Sequence, residues 1–411
     1  MSVWLLPRNE LSNEQIRAIE MPMNTHRVIL GPPGSGKTQI LLHRARHLID
    51  AYNISRKRLH IFVFTNTLKF YIKSALELLD LPLNCVTTFD SWCYSNYLRY
   101  ISPNLPIREG ENCPDFAAIR KAVSESIQGN NIKNIYDAVL VDEGQDLDTH
   151  AFSLFTKIAK HITVCMDYKQ QIFDTGMNEQ EILDKLGLRR SNISLLEAYR
   201  CCPYIASLAA ELIDDQMEKT QYLNQVRIPQ AEKELPLLYI AKDYADELER
   251  LKSILKIRLT KGEKIGVIIL RNSMIDELKT LLQKEGFPVE SGKDIDFSGN
   301  RIKILSYHSV KGLSFDTVLM PFLYEKSFTE KVPDIEYQKR LLFVAVTRAV
   351  KWAYMSSASG DELKLLDLLI PLEKEKKLTA QRCKDINISA QNSGNNNDTK
   401  NNASADSLDF L

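Results

Sequence analysis

Short apolar, β-branched runs alternate with longer amphipathic stretches along most of the chain. Residues 27–30, 59–64, 138–141 and 162–166 are continuous apolar runs bounded by polar or turn residues. Runs of this length, separated by helical spacing at 39–50 and 67–80, predict buried strands of a parallel sheet covered on both faces. A second set of strands is predicted at 237–240, 265–270, 302–306, 317–320 and 352–355, with helices at 243–259, 274–286 and 334–350. The alternation occurs twice, which predicts two α/β domains, residues 1–193 and 194–372. From residue 373 to 411 periodicity is lost, and the Asn- and Ser-rich stretch after Gln391 cannot bury enough apolar surface to offset its ordering entropy, so this tail reads as disordered.

Composition narrows the class. At 411 residues the chain suits two domains, each with its own core. Hydrophobic residues make up 44% and charged residues 26%, the balance of a soluble globular protein. No apolar run reaches bilayer length, and the first residues lack the pattern of a secretory signal, so a cytoplasmic protein is expected. The seven cysteines form no CxxC pair, and with the scattered histidines they make a zinc site improbable. A formal net charge of zero argues against indiscriminate binding to nucleic acid but leaves room for a local basic groove.

Candidate chemistry begins at residues 31–38, which read GPPGSGKT. The pattern GxxxxGK[ST] between a strand and a helix is a phosphate-binding loop. Gly31, Gly34 and Gly36 let backbone N–H groups, with that of Ser35, curl around phosphate oxygens, and the helix adds its positive N-terminal end. Lys37 is placed to reach the β- and γ-phosphates of ATP, and Thr38 to hold Mg²⁺. The run VLVDE ends a buried strand in Asp142 and Glu143, the first suited to Mg²⁺ and the second to orienting the attacking water. Read alone, these two features fit a motor, a kinase or a GTPase.

Further motifs, in order from about residue 11 to residue 357, resemble those of superfamily 1 helicases of the UvrD/Rep/PcrA group. LSNEQ, ending at Gln15, is similar to the glutamine motif that reads adenine, although Ser12 and Gln15 also form a capping-box pattern. FVFTN (Phe64, Thr65, Asn66) and TTFDS (Thr88) resemble the motifs that touch the nucleic-acid strand. DEGQD from Asp142 to Asp146 takes the superfamily's form, and MDYKQQIF resembles a motif with Gln170 as γ-phosphate sensor and Phe173 at the strand. EAYR resembles the motif in which Tyr199 stacks on adenine and Arg200 reaches the γ-phosphate. SYHSVKGLSFD supplies His308 on the strand side and Gly312 on the nucleotide side, and the TRA arginine, Arg348, is the second γ-phosphate finger. Gln39, which follows Thr38, is counted among the nucleotide contacts.

The resemblance implies two RecA-like domains facing one ATP, and an ATP hydrolase that moves along single-stranded DNA, with RNA not excluded, in the 3′–5′ direction. The departures are specific. Asp174, Thr175 and Gly176 stand where relatives have a base-stacking tryptophan. Ser314 stands where they have a ribose-contacting glutamate, and Tyr337 and Gln338 replace an acidic pair. About 45 residues separate the TTFDS motif from the strand before Asp142, and about 15 follow Gly286 before the strand that leads into the next motif, too few for the inserted domains of relatives. A stripped core of this kind leaves a second reading, a nucleotide-dependent switch that regulates a protein partner such as a nuclease.

Overall fold

The computed structural model describes residues 4–108, 110, 112–167, 177–189, 193–195, 202–226, 234–292, 295–297 and 299–383. In chain order the strands are β1 (Arg27–Leu30), β2 (Leu59–Val63), β3 (Val86–Thr88), β4 (Tyr136–Val141), β5 (Ala159–Met166), β6 (Ile193–Leu195) and β7 (Leu237–Ala241). They continue with β8 (Ile265–Ile269), β9 (Val289–Glu290), β10 (Ile302–Ser306), β11 (Phe315–Met320), β12 (Ala349–Ala358) and β13 (Thr379–Arg382). The first six make one sheet in the order β3-β2-β4-β5-β1-β6, and the last seven a second in the order β13-β7-β12-β11-β8-β10-β9. Every pairing in both sheets is parallel. The fold is therefore α/β with two parallel sheets.

Local chemistry starts the helices that carry the strand ends. Thr65 accepts from Leu68 N and opens the helix Asn66–Leu76, and Thr88 accepts from Ser91 N and opens Phe89–Tyr100. Asp243 and Asp334 cap Tyr244–Thr260 and Ile335–Val346 in the same way. The helix Asn66–Leu76 buries Leu68, Tyr71, Ile72, Ala75 and Leu76, the spacing of one helical face. One apolar cluster fills one side of the first sheet around Phe62, Phe89, Trp92 and Phe155. Another lies in the second domain around Leu251, Val267, Leu282 and Tyr354. A third cluster runs from Leu68 and Tyr71 of the first domain into Phe297, Leu313 and Phe315 of the second, so the domains share a core.

Several elements differ from the sequence reading. The strand β3 and the two-residue β9 have no counterpart in it, and β12 is longer than 352–355. The helix expected over 334–350 ends at Val346, with Thr347 closing it and β12 beginning at Ala349. Arg348 thus stands in the joint between helix and strand, because apolar residues lie on both sides of Thr347 and Arg348 and the sequence pattern does not mark where the helix stops. The strand β6, at 193–195, pairs with β1 across the expected boundary at 193. The helix Pro203–Ala210 already packs on β12, and Cys202 N donates to Val350 O at 2.9 Å. Past residue 372, β13 pairs with β7 and adds an edge to the second sheet. Six cysteines among the described residues are free thiols. No helix among the described residues is long and apolar enough to cross a membrane.

Candidate active site

The phosphate loop follows β1 and ends in the helix Lys37–Tyr52. Gly34 and Gly36 adopt φ of +80° and +83°, a left-handed backbone that curls the loop and that side-chain-bearing residues rarely adopt. Lys37 is buried and donates to the loop's own carbonyls, Gly31 O at 2.7 Å and Pro32 O at 3.1 Å, with Asp167 Oδ2 at 3.7 Å. The Ser35 hydroxyl is fully buried and makes no hydrogen bond. An orphaned hydroxyl within a cradle of backbone N–H groups suits a phosphate oxygen, which would supply the missing partner.

Strand β4 delivers the acids. Thr38 Oγ1 donates to Asp142 Oδ2 at 2.7 Å, so the two hard oxygens suited to Mg²⁺ already meet. Burial, and next the charge of Glu143, push the Asp142 carboxyl above its ordinary range, against the pull of Thr38 and Lys37. Burial acts on Glu143 in the same sense, but Lys311, Lys37 and Arg348 together outweigh it and hold that carboxyl below its usual value. Glu143 stays ionised where a base is useful. Its backbone is left-handed, with φ of +52°, a conformation that costs a non-glycine residue about 1–3 kcal/mol and clusters at functional sites. The next residue must be small, since a Cβ on Gly144 would lie 2.3 Å from Val164 Cγ1. Gln145 then locks the turn, donating to Glu143 Oε2 at 2.6 Å and accepting from Asp167 N at 3.0 Å.

The second domain closes on these groups from the amino ends of β11 and β12. A cleft of about 650 Å³, part of it open to solvent, is lined by Lys37, Thr38 and Glu143 on one side and by Gly312, Ser314 and Arg348 on the other. The Arg348 guanidinium is buried and held by Val344 O at 3.0 Å, Leu313 O at 3.3 Å and Thr347 Oγ1 at 3.1 Å. Burial lowers its pKa, while the charges of Glu143 and Asp167 oppose that shift. Lys311 pairs with Asp146 across the domains at 2.7 Å, and Tyr71 meets Ser314 at 3.2 Å. A Cβ on Gly312 would sit 2.9 Å from Leu68 Cδ2.

Of the residues named from sequence, Gly34, Gly36, Lys37, Thr38, Gln39, Glu143, Gly312 and Arg348 line this one cleft. Asp142 stands just beneath it through Thr38. Gln15 is not among the lining residues: its Oε1 accepts from Ser12 N at 2.9 Å in a completed capping box, and its Nε2 donates to Ser35 O of the phosphate loop at 2.9 Å. It steadies the phosphate loop from behind. Gln170, Phe173, Tyr199 and Arg200 lie outside the described residues.

The strand-contact candidates stand at carboxyl ends of β-strands. Phe64 is half-buried after β2, beside Phe89, Asp90 and Arg120, and Thr65 and Thr88 spend their hydroxyls as helix caps. Asn66 accepts from Lys69 Nζ at 2.8 Å, and His308, beyond β10, shares a 2.8 Å hydrogen bond with Tyr337. Sequence reasoning missed Trp4, Tyr71 and the pairing partners Asp146 and Lys311. Only the motif strings around the last two carried a signal.

Residues 11–125 match the UvrD/REP helicase N-terminal domain, and residues 290–360 match the UvrD-like helicase C-terminal domain. A protein of Acanthamoeba polyphaga mimivirus, provisionally named an ATP-dependent DNA helicase, is 22% identical over 372 residues, covering 83% of this chain and 52% of that protein. The chain therefore spans about half the length of this relative. A crystal structure described as the C-terminal domain of a possible DNA helicase from Lactobacillus plantarum superposes with a TM-score of 0.32 at 16% identity, over 41% of this chain and 92% of that one, too low a score to carry a common fold. Both family domains match in order, one over the phosphate loop and the other over the arginine that faces it, so the chain carries a UvrD/REP helicase N-terminal domain and a UvrD-like helicase C-terminal domain.

Proposed function

We propose that the chain hydrolyses ATP between its two domains and uses the closure of that cleft to advance along single-stranded DNA in the 3′–5′ direction. The observation that carries the reading is the composition of the cleft. The cradle and the acids come from one domain, and Arg348 comes from the other. An arginine supplied across a cleft stabilises charge on the transferring phosphoryl group only when the domains close, which ties hydrolysis to movement. The name of the mimivirus relative points to the same substrates.

Thr38 and Asp142 would hold Mg²⁺, which neutralises charge on the phosphates. Two protein oxygens suffice, because Mg²⁺ keeps waters and takes its remaining ligands from the nucleotide. Lys37 leaves the carbonyls of Gly31 and Pro32 for the phosphates, and Glu143 orients and deprotonates the attacking water. Phe64, Thr65, Asn66, Thr88, Phe173 and His308 form the path of the strand, which bridges both domains.

Purified protein should hydrolyse ATP slowly alone and several-fold faster with single-stranded DNA. The stimulation should weaken as salt rises, since phosphate contacts release counterions. Steady-state turnover measured with single-stranded DNA, duplex DNA and RNA side by side tests this. Turnover indifferent to every nucleic acid would overturn the motor and leave the partner-regulating switch.

A further inference from the structure

The cleft continues beyond the phosphate loop to two aromatic residues that none of the motifs includes. Its far wall is Trp4 stacked on Tyr71, ring centroids 4.2 Å apart and 17° from parallel. The indole N–H fixes the stack by donating to Tyr71 O at 3.2 Å and to Ser74 Oγ at 3.1 Å. Gln39, one residue beyond Thr38, donates its Nε2 to Trp4 O at 3.0 Å. Its Oε1 is buried and accepts from nothing, although the side chain lines the cleft. Tyr71 reaches the second domain through Ser314, at 3.2 Å.

We propose that Trp4, Tyr71 and Gln39 form the nucleoside-binding half of the site, with the aromatic pair as a packing wall for the nucleoside and Gln39 Oε1 as acceptor for a sugar hydroxyl. The inference rests on the nucleotide reading above and assigns residues to the part of that ligand it leaves open. A triphosphate anchored at the start of the helix Lys37–Tyr52 extends past Thr38 toward Gln39 and the stack. The wall is apolar and flat, which suits any base face. A buried amide oxygen without a partner is costly and calls for a donor, which a sugar hydroxyl supplies.

The test compares ATP with inorganic tripolyphosphate, which has the phosphates and no nucleoside. Trp4→Ala and Gln39→Met should each raise the KM for ATP about ten-fold, the low end of what a stacked base contributes. Neither should alter the inhibition constant of tripolyphosphate. Trp4→Phe, which keeps a flat ring but loses the N–H that fixes it, should fall between Trp4→Ala and wild type. Gln39→Met keeps the comparison decisive if Trp4→Ala does not fold. Equal weakening toward both ligands, or no change toward ATP, would overturn the assignment. Wild-type protein inert to both would overturn the nucleotide reading beneath it.

Discussion

Lys311 of the second domain sets its ammonium 2.7 Å from Asp146 Oδ2 of the first, with 1% and 0% of the two side chains exposed. Asp146 lies three residues after Glu143 in the same turn, and Lys311 is the strongest of the charges that lower the pKa of Glu143. One lysine thus joins the domains and stabilises the ionised acid. Removing one partner of a buried pair leaves an unpaired charge, at a cost of about 3–5 kcal/mol. Asp146→Leu should lose that much in chemical denaturation, because the buried lysine loses its hydrogen-bonded carboxylate. Lys311→Met should cost less, since burial already pushes the Asp146 carboxyl up and protonation removes its charge. The double variant Asp146→Leu/Lys311→Met should recover most of the stability while its turnover stays low. Additive losses in this cycle would show that the pair is not coupled.

Arg348 is the only arginine lining the cleft among the described residues. Arg348→Ala should lower kcat about 10³-fold, the smaller effect seen for arginines that act on a transferring phosphoryl group, and shift KM much less. Arg348→Lys should be nearly as poor, because an ammonium lacks the planar fork. Circular dichroism should match wild type for the lysine variant. A kcat within a few-fold of wild type in both variants would remove Arg348 from the reaction.

The parts of the fold that sequence made legible are those written locally. Strands β1 and β10 coincide with their apolar runs, 27–30 and 302–306, and the phosphate loop is one contiguous string. The strand β13 was not legible because Thr-Ala-Gln-Arg lies half-exposed at a sheet edge and has no apolar run to announce it. β9 is two residues long, too short for any periodicity. Lys311 and Asp146 are 165 residues apart, and Trp4 and Tyr71 are 67 apart. Such pairs arise when the sheets and the shared core assemble, and no spacing along the chain encodes them.

Gly312 has φ of +77° and would place a Cβ 2.9 Å from Leu68 Cδ2 and 3.5 Å from Glu143 Oε1. Gly312→Ala is therefore strained by its backbone and by the facing domain at once. Stability should fall by about 1 kcal/mol or somewhat more. The larger effect should be on turnover, because displacing this loop moves the second domain away from Glu143. Leu68→Val in the Gly312→Ala background should restore part of kcat by vacating the contested space, without restoring stability. If the second substitution leaves kcat unchanged, the close approach to Leu68 is not what limits closure.

His60 lies buried in β2, bonded to Thr87 Oγ1 at 2.8 Å and packed against Phe62 and Tyr136 at ring distances of 4.6 and 5.1 Å. Burial lowers its pKa from 6.5 to about 4. The unfolded chain then binds a proton that the folded chain refuses, so stability is full above about pH 6.5 and declines as pH falls toward 4. The shift corresponds to a loss of about 3 kcal/mol at the acid end. His161, lowered to about 3 by burial and by Arg44, acts in the same direction. His60→Gln can keep the bond to Thr87 but has no titration, so its stability should fall less steeply across this window. Urea denaturation of both proteins at pH 7.5, 6, 5 and 4 gives the difference profile, and parallel curves would show that His60 takes up its proton in the fold as readily as out of it.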